Sequence, residues 1–162
     1  MLDKMPFLGP DQVAAAQQFV EKLDWQFKQE SDTGGIRYRH YVPNYALEQL
    51  EFLPQFPYIA EYYGEYKHPD DFLFNGYEGD VRINPHRDGD DLDISYSWCA
   101  IVGIVDGPGD LQFYDYEDTR IISYQFHIWP GHLVIWDKQF EATRYHGGMF
   151  GDGRVTMVAR WL

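Results

Sequence analysis

Apolar side chains recur at helical spacing early in the chain and at alternating spacing from about residue 72 onward. Val13, Ala16, Val20 and Leu23 fall three or four residues apart behind Gly9-Pro10-Asp11, whose proline suits a first helical turn. Gly34-Gly35 interrupts that rhythm, and 36–42 reads as a strand. Over 45–66 the period is helical again, but Pro54 and Pro57 break it, which predicts two short helices. The later part predicts strands over 72–77, 81–84, 94–105, 110–116, 120–129, 132–136, 142–146 and 154–161, with Gly-, Pro- and Asp-rich turns between them. The expected architecture is mainly β with N-terminal helices: one domain over 1–162, in which 1–71 form a helical support or lid and 72–162 a barrel or sandwich core.

Composition narrows the class. The 162 residues are 44% apolar and 18% aromatic, which predicts a globular chain rather than a disordered one. No apolar stretch is long enough to span a bilayer, and Met-Leu-Asp-Lys-Met-Pro-Phe lacks the apolar region of a signal peptide. A single cysteine, Cys99, excludes an internal disulfide framework and fits a reducing compartment, so the expected location is cytoplasmic. Its apolar neighbours point to a core thiol rather than a nucleophile. The net charge of −13, from 26 acidic and 13 basic side chains, disfavours tight binding of long nucleic acid but leaves a single nucleotide open.

Two stretches carry chemistry. His86-Arg-Asp88 offers an imidazole and a carboxylate from one short extended segment, where alternate residues point the same way. His146, in Tyr145-His146-Gly147, is a third candidate ligand. Two histidines and one carboxylate with open positions are the ligand set of non-haem Fe(II) oxygenases, and zinc accepts the same types. A solvated acidic loop is the bland reading of His86-Arg-Asp88. A kinase catalytic loop fails because Asp93 stands where asparagine is needed. A calcium loop from Asp88 fails because Asp93 and Cys99 stand where glycine and glutamate are needed.

The second stretch is Arg154-Val-Thr-Met-Val-Ala-Arg160. An even spacing puts both arginines on one strand face with Thr156 and Val158, while Val155, Met157, Ala159 and Trp161 make an apolar opposite face. Two guanidinium groups on a buried face call for anionic partners, since unpaired buried charge is costly. Edge salt bridges to some of the many acids are the bland alternative. Asn75 and Tyr77 share parity on the strand before His86. Arg144 fits a substrate contact or, more simply, a surface ion pair. His40, His68, His127 and His132 have no ligand-like company in the sequence.

Together these residues resemble the Fe(II)/2-oxoglutarate-dependent dioxygenases, and within them the AlkB-like branch. The series is Asn75-Gly-Tyr77, then His86-Arg-Asp88, then His146, then Arg154-Val-Thr-Met-Val-Ala-Arg160, with Gly131-His-Leu-Val-Ile-Trp136 similar to the strand before the distal ligand. The resemblance covers roughly 72–162. It implies a double-stranded β-helix, or jelly-roll, with Fe(II) on His86, Asp88 and His146. It implies 2-oxoglutarate and O2 as co-substrates, with Arg154 gripping the distal carboxylate and Asn75, Tyr77 and Arg160 completing the pocket. The implied activity is hydroxylation or oxidative demethylation, with an alkylated or modified nucleobase as the first substrate class. Only about seventy residues precede the core, and the family's arginine before the distal histidine has no counterpart in the same place. A peptide, as in the small prolyl hydroxylases, and a small molecule therefore stand as alternative substrates. A jelly-roll that binds without catalysis, or a zinc-holding structural domain, is the competing class.

Overall fold

A computed structural model describes residues 1–43, 46, 68–90 and 94–162. The two helices expected over 45–66 lie outside these residues. The elements run β1 (Leu2–Pro6), α1 (Pro10–Glu21), β2 (Phe27–Glu30), β3 (Ile36–Tyr41), β4 (Asp71–Glu78), β5 (Val81–His86), β6 (Trp98–Val105), β7 (Gly109–Asp115), β8 (Ile122–Phe126), β9 (His132–Asp137), α2 (Lys138–Thr143), β10 (Arg144–Phe150) and β11 (Val155–Trp161). None of the described helices is long and apolar enough to cross a membrane.

The strands form a seven-stranded sheet, β1-β9-β6-β11-β4-β3-β2, and a four-stranded sheet, β5-β10-β7-β8, and their pairings are antiparallel. The large sheet buries both faces. Phe72 and Phe74 of β4, Ala100, Val102 and Ile104 of β6, and Met157, Ala159 and Trp161 of β11 pack with Ala16 and Val20 of α1. The alternate residues, Tyr77, Cys99, Ile101, Val134 and Trp136, meet Leu111, Phe113 and Phe150 of the small sheet. Helix, large sheet and small sheet thus form three layers, and strands buried on both faces read as nearly continuous apolar runs. This is the jelly-roll expected from the sequence. The parity of β11 holds too, because its wholly apolar face is the one that α1 covers.

In the N-terminal third α1 and β3 fall where the sequence placed a helix and a strand, while β1 and β2 are strands that it did not predict. Strand β1 completes one edge of the large sheet against β9. Every residue of β2 is exposed, so it carries no apolar alternation that a sequence reading could find. Between Asp137 and Arg144, part of the segment expected as strand 142–146 is instead helix α2. The Asp137 side chain caps it by accepting the Phe140 N–H, and the strand begins only at Arg144. The strand expected from residue 94 begins at Trp98, and the one expected from 120 begins at Ile122 after a turn closed by the Asp118 carboxylate on the Arg120 N–H.

A register shift in the small sheet positions the site. Gly148 of β10 lies opposite Ile83 of β5, yet His146 lies opposite His86. One residue, Gly147, therefore faces two, Asn84 and Pro85. Proline has no N–H to give a ladder, so a bulge falls naturally there. In an unbroken register His146 would face Pro85, and His86 would point to the other side of the sheet. The extra residue reverses that parity and puts both imidazoles on one face. Gly147 is required at this point, because a Cβ there would lie 2.3 Å from the Ile83 carbonyl oxygen.

Candidate metal centre

His86, Asp88 and His146 converge so that one ligand atom from each lies within 4.8 Å of the others. Asp88 is not in extended chain as the sequence suggested. It lies in a turn after β5, tightened by Gly89 at φ 85° and closed by the Ile94 N–H on the Gly89 carbonyl. That turn brings Asp88 Oδ1 to 3.4 Å from His86 Nε2 and 3.5 Å from His146 Nε2. His86 Nδ1 lies 2.8 Å from the Asn84 carbonyl oxygen, which only accepts, so that nitrogen carries a hydrogen and leaves Nε2 free as a ligand. The His146 ring is packed by Trp136 and Phe113, with centroids 5.1 and 5.9 Å away. The His86 side chain is 43% exposed while His146 is buried, so the centre opens towards solvent on the His86 side.

Charge is balanced around the trio. Arg160 donates towards Asp88 Oδ1 at 3.3 Å and bonds Asp71 Oδ2 at 2.6 Å, with its guanidinium 5.3 Å from the Tyr96 ring centroid. Burial alone would raise the Asp88 carboxyl, but His146, His86 and Arg160 together hold it well below the usual range. Burial likewise opposes a charge on His146, and the Asp88 carboxylate outweighs it, so the imidazole is raised. Cys99 is pushed well above its ordinary value by burial, reinforced by Asp88 and Glu141, which fits an inert core thiol.

Glu141 of α2 was not singled out by the sequence. Its Oε1 accepts the Asp88 backbone N–H at 2.6 Å and lies 3.5 Å from His146 Nδ1, while Oε2 accepts the Trp136 indole N–H. A usable signal did exist: a capping aspartate at Asp137 sets a short helix whose fourth residue is the only carboxylate between Trp136 and His146 apart from Asp137 itself.

The other sequence-selected residues line the space between the sheets, further along β4 and β11. Asn75 and Thr156 are cross-strand partners, and both are buried. The Tyr77 ring stacks on Phe150 at 5.0 Å, and burial raises its hydroxyl to about 12 despite a hydrogen bond with Thr156. Arg154 is fully buried just before β11. Its guanidinium donates to the Gly107 carbonyl at 2.6 Å and the Ile128 carbonyl at 3.0 Å, with Asp106 Oδ1 at 3.8 Å. The anionic partners expected for the arginine pair thus belong mainly to Arg160, and Arg154 is held by backbone oxygens. Arg154 Nε, Arg160 Nε and Asn75 Oδ1 are buried with no hydrogen-bond partner. Arg144 makes no surface ion pair among the described residues, and instead its guanidinium lies 5.8 Å from the Phe140 centroid. His127 bridges Asp106 and Asp110, through Nε2 at 2.8 Å and Nδ1 at 3.0 Å, near Arg154.

No family model matches the chain, and no curated protein does. Solved structures do match. An oxidoreductase of the 2OG-Fe(II) oxygenase family from Burkholderia pseudomallei superposes with a TM-score of 0.72 at 12% identity, over 98% of this chain and 84% of that one. OsALKBH1 gives 0.66 at 12% identity, over 98% and 97%. A Pseudomonas putida prolyl-4-hydroxylase gives 0.64 at 15% identity, over 98% and 90%. The fold is that of the 2OG-Fe(II) oxygenases. In this oxygenase fold the His86, Asp88 and His146 cluster sits where β5 and β10 meet, at the end of the small sheet that opens to solvent.

Proposed function

We propose that this chain is a non-haem Fe(II)- and 2-oxoglutarate-dependent dioxygenase. The observation that carries the proposal is the convergence of two imidazole Nε2 atoms and one carboxylate oxygen on one point of the oxygenase fold. This donor set fits Fe(II) and leaves coordination positions for other ligands. The buried, partnerless Nε donors of Arg154 and Arg160 fit a dicarboxylate, which supplies the acceptors they lack.

In this reading His86, Asp88 and His146 hold the metal. Arg154 grips the distal carboxylate of 2-oxoglutarate, and Asn75, Tyr77 and Arg160 complete the pocket. Bound together, Fe(II) and 2-oxoglutarate supply the oxidising power, using O2 and releasing succinate and CO2 as the substrate gains a hydroxyl. The protein's own work is placement and water exclusion. Arg160 keeps Asp88 ionised and oriented, the Asn84 carbonyl fixes the His86 tautomer, and Trp136 and Phe113 keep water from the back of His146.

The substrate class we favour is an alkylated or modified nucleobase, presented as a nucleotide or a short strand. Beyond the Asn75-to-Arg160 series, support comes from β3. Arg37 and Arg39 lie opposite Tyr77 and Asn75 and so share the pocket-side face of the large sheet. They line a shallow cleft with Phe27, Gln29 and Tyr41. Arg37 bonds the neutral Gln29 amide at 2.7 Å, and neither arginine has a carboxylate partner among the described residues. Two guanidinium groups with no carboxylate partner among the described residues, in a chain of net charge −13, suit a phosphate. On an N-methyl group, hydroxylation is followed by loss of formaldehyde, whereas on carbon the alcohol remains. The fold likeness to prolyl-4-hydroxylase supports a peptide substrate as the second reading. A screen of methylated nucleotides and short oligonucleotides against prolyl peptides, read by succinate and formaldehyde, separates them. Succinate with formaldehyde from the former supports the nucleobase, and turnover on peptides alone overturns it.

A further inference from the structure

The Glu141 carboxylate stands behind the metal ligands, at the Nδ1 edge of His146 and against the backbone N–H of Asp88. It is 9% exposed and has no lysine or arginine within ion-pair distance among the described residues. Its surroundings are two N–H donors, the Asp88 backbone and the Trp136 indole, together with the His146 ring edge. A buried carboxylate is expensive unless its oxygens are matched by donors. A leucine or glutamine would fill this space without that cost, so the charge requires another explanation.

An ionised carboxylate only accepts hydrogen bonds, and an indole N–H only donates. With Oε2 committed to Trp136, Oε1 is left facing both Asp88 N–H and His146 Nδ1. His146 Nδ1 is buried and makes no hydrogen bond, and the Glu141 oxygen 3.5 Å away is the acceptor that lies nearest to hand for it. The acceptor beside it favours hydrogen on Nδ1, against the Asp88 carboxylate that lies equally near Nε2, and so favours the form whose Nε2 lone pair is free for a metal. The same oxygen ties down the backbone of the turn carrying Asp88. Two ligands, on elements 58 residues apart in sequence, are therefore set by a single atom.

We propose that Glu141 is a positioning residue of the metal centre: its carboxylate fixes the His146 tautomer and anchors the Asp88 turn, so that both ligand arms are arranged before metal arrives. The proposal rests on reading His86, Asp88 and His146 as a metal site. Trp136 acts one step further back by fixing the rotation of the carboxylate. In Glu141→Gln the amide has one oxygen and one N–H2 group. Whichever way it turns, a donor faces either the indole N–H or His146 Nδ1, and the second orientation imposes the tautomer that cannot bind metal through Nε2.

The test uses the full chain, free of metal, with two readouts. The first is long-range ¹H–¹⁵N correlation of the histidine rings, at a pH well above the imidazole range. Wild type should populate the His146 form with hydrogen on Nδ1 despite the Asp88 carboxylate beside Nε2, and Glu141→Gln should reduce that population. The second is titration with Co(II) alone, followed by its visible spectrum. Glu141→Gln should bind about 10- to 100-fold more weakly, the usual consequence of losing an outer partner of a metal-bound histidine. Should that variant fail to fold, Glu141→Asp keeps the charge, withdraws the carboxylate by one methylene, and should move both readouts the same way. An unchanged tautomer, or Co(II) affinity within about twofold of wild type, overturns the role of Glu141. Absence of Co(II) binding by wild type overturns the metal-site reading instead, and the tautomer still decides on Glu141 by itself.

Discussion

Arg154 is where the structure most changes what a substitution should do. If it only gripped the distal carboxylate, as the family resemblance implies, removing it should chiefly raise the 2-oxoglutarate requirement. The guanidinium is instead wholly buried and caps two backbone carbonyls, Gly107 at 2.6 Å and Ile128 at 3.0 Å. Arg154→Met would strand both oxygens, at about 1–3 kcal/mol each. It would also remove the cation above the Phe150 ring, 5.6 Å from its centroid, worth roughly 0.5–2 kcal/mol. Relief of the burial penalty on the charge, several kcal/mol after relaxation, offsets part of this, leaving a net loss of roughly 2–4 kcal/mol. For a chain of this length about 1 kcal/mol moves the melting temperature by 2–4 °C, so the fall should be roughly 4–16 °C. The assay is thermal unfolding by near-ultraviolet circular dichroism, with and without 2-oxoglutarate and Mn(II). Wild type should be stabilised by the pair, because a ligand that binds only the folded state raises its stability. The variant should start lower and gain nothing from the co-substrate. Arg154→Lys, which keeps the charge without the planar fork, should fall in between. An Arg154→Met variant melting within about 2 °C of wild type would refute the structural part of the reasoning.

Further predictions concern the site and its frame. His146→Ala should abolish succinate formation while the chain stays folded, and undiminished succinate would remove His146 from the ligand set. Gly147→Ala places a Cβ against the Ile83 carbonyl, so it should disturb the bulge that pairs His146 with His86; metal affinity should drop by at least tenfold, and an unchanged affinity would show that the bulge is dispensable. The Asp110 carboxyl is lowered, first by its bond from Gln125 and then by His127, against some burial. A depressed carboxylate contributes stability above its unfolded value of about 3.9 and loses it as pH falls through the lower folded value. Asp110→Asn should therefore cost somewhat under 1 kcal/mol at neutral pH, discounted for partial exposure, and the difference from wild type should shrink as pH falls from about 4 and vanish only below the lowered folded value. A deficit that persists in acid would mean that Asp110 acts through packing.

What the sequence revealed follows from where side-chain alternation has consequences. β4, β6, β9 and β11 are buried on both faces, so their apolar runs stood out, and the parity of Arg154, Thr156 and Arg160 predicted a polar face that the structure places between the sheets. β1 and β2 lie at the edges of the large sheet, β1 only partly buried and β2 wholly exposed, and such an edge strand leaves no clear imprint. The metal cluster was legible as a set of residue types but not as geometry. Alternation alone would have put His86 and Asp88 on one strand, whereas Pro85 forces a bulge and Asp88 arrives by a turn. Glu141 stayed hidden because α2 is too short to show a helical period, and its role depends on contacts with β9, β10 and the Asp88 turn that no local pattern encodes.

The most direct test of the central claim needs no knowledge of the substrate. Fe(II) is titrated anaerobically into the protein with 2-oxoglutarate, and the visible charge-transfer band of the chelate is recorded. A band that appears in wild type, that is absent in His146→Ala, and that needs far more 2-oxoglutarate in Arg154→Lys is the predicted result. Bound iron with no band at saturating 2-oxoglutarate would contradict the proposed activity and leave a metal-holding jelly-roll that binds without oxidising.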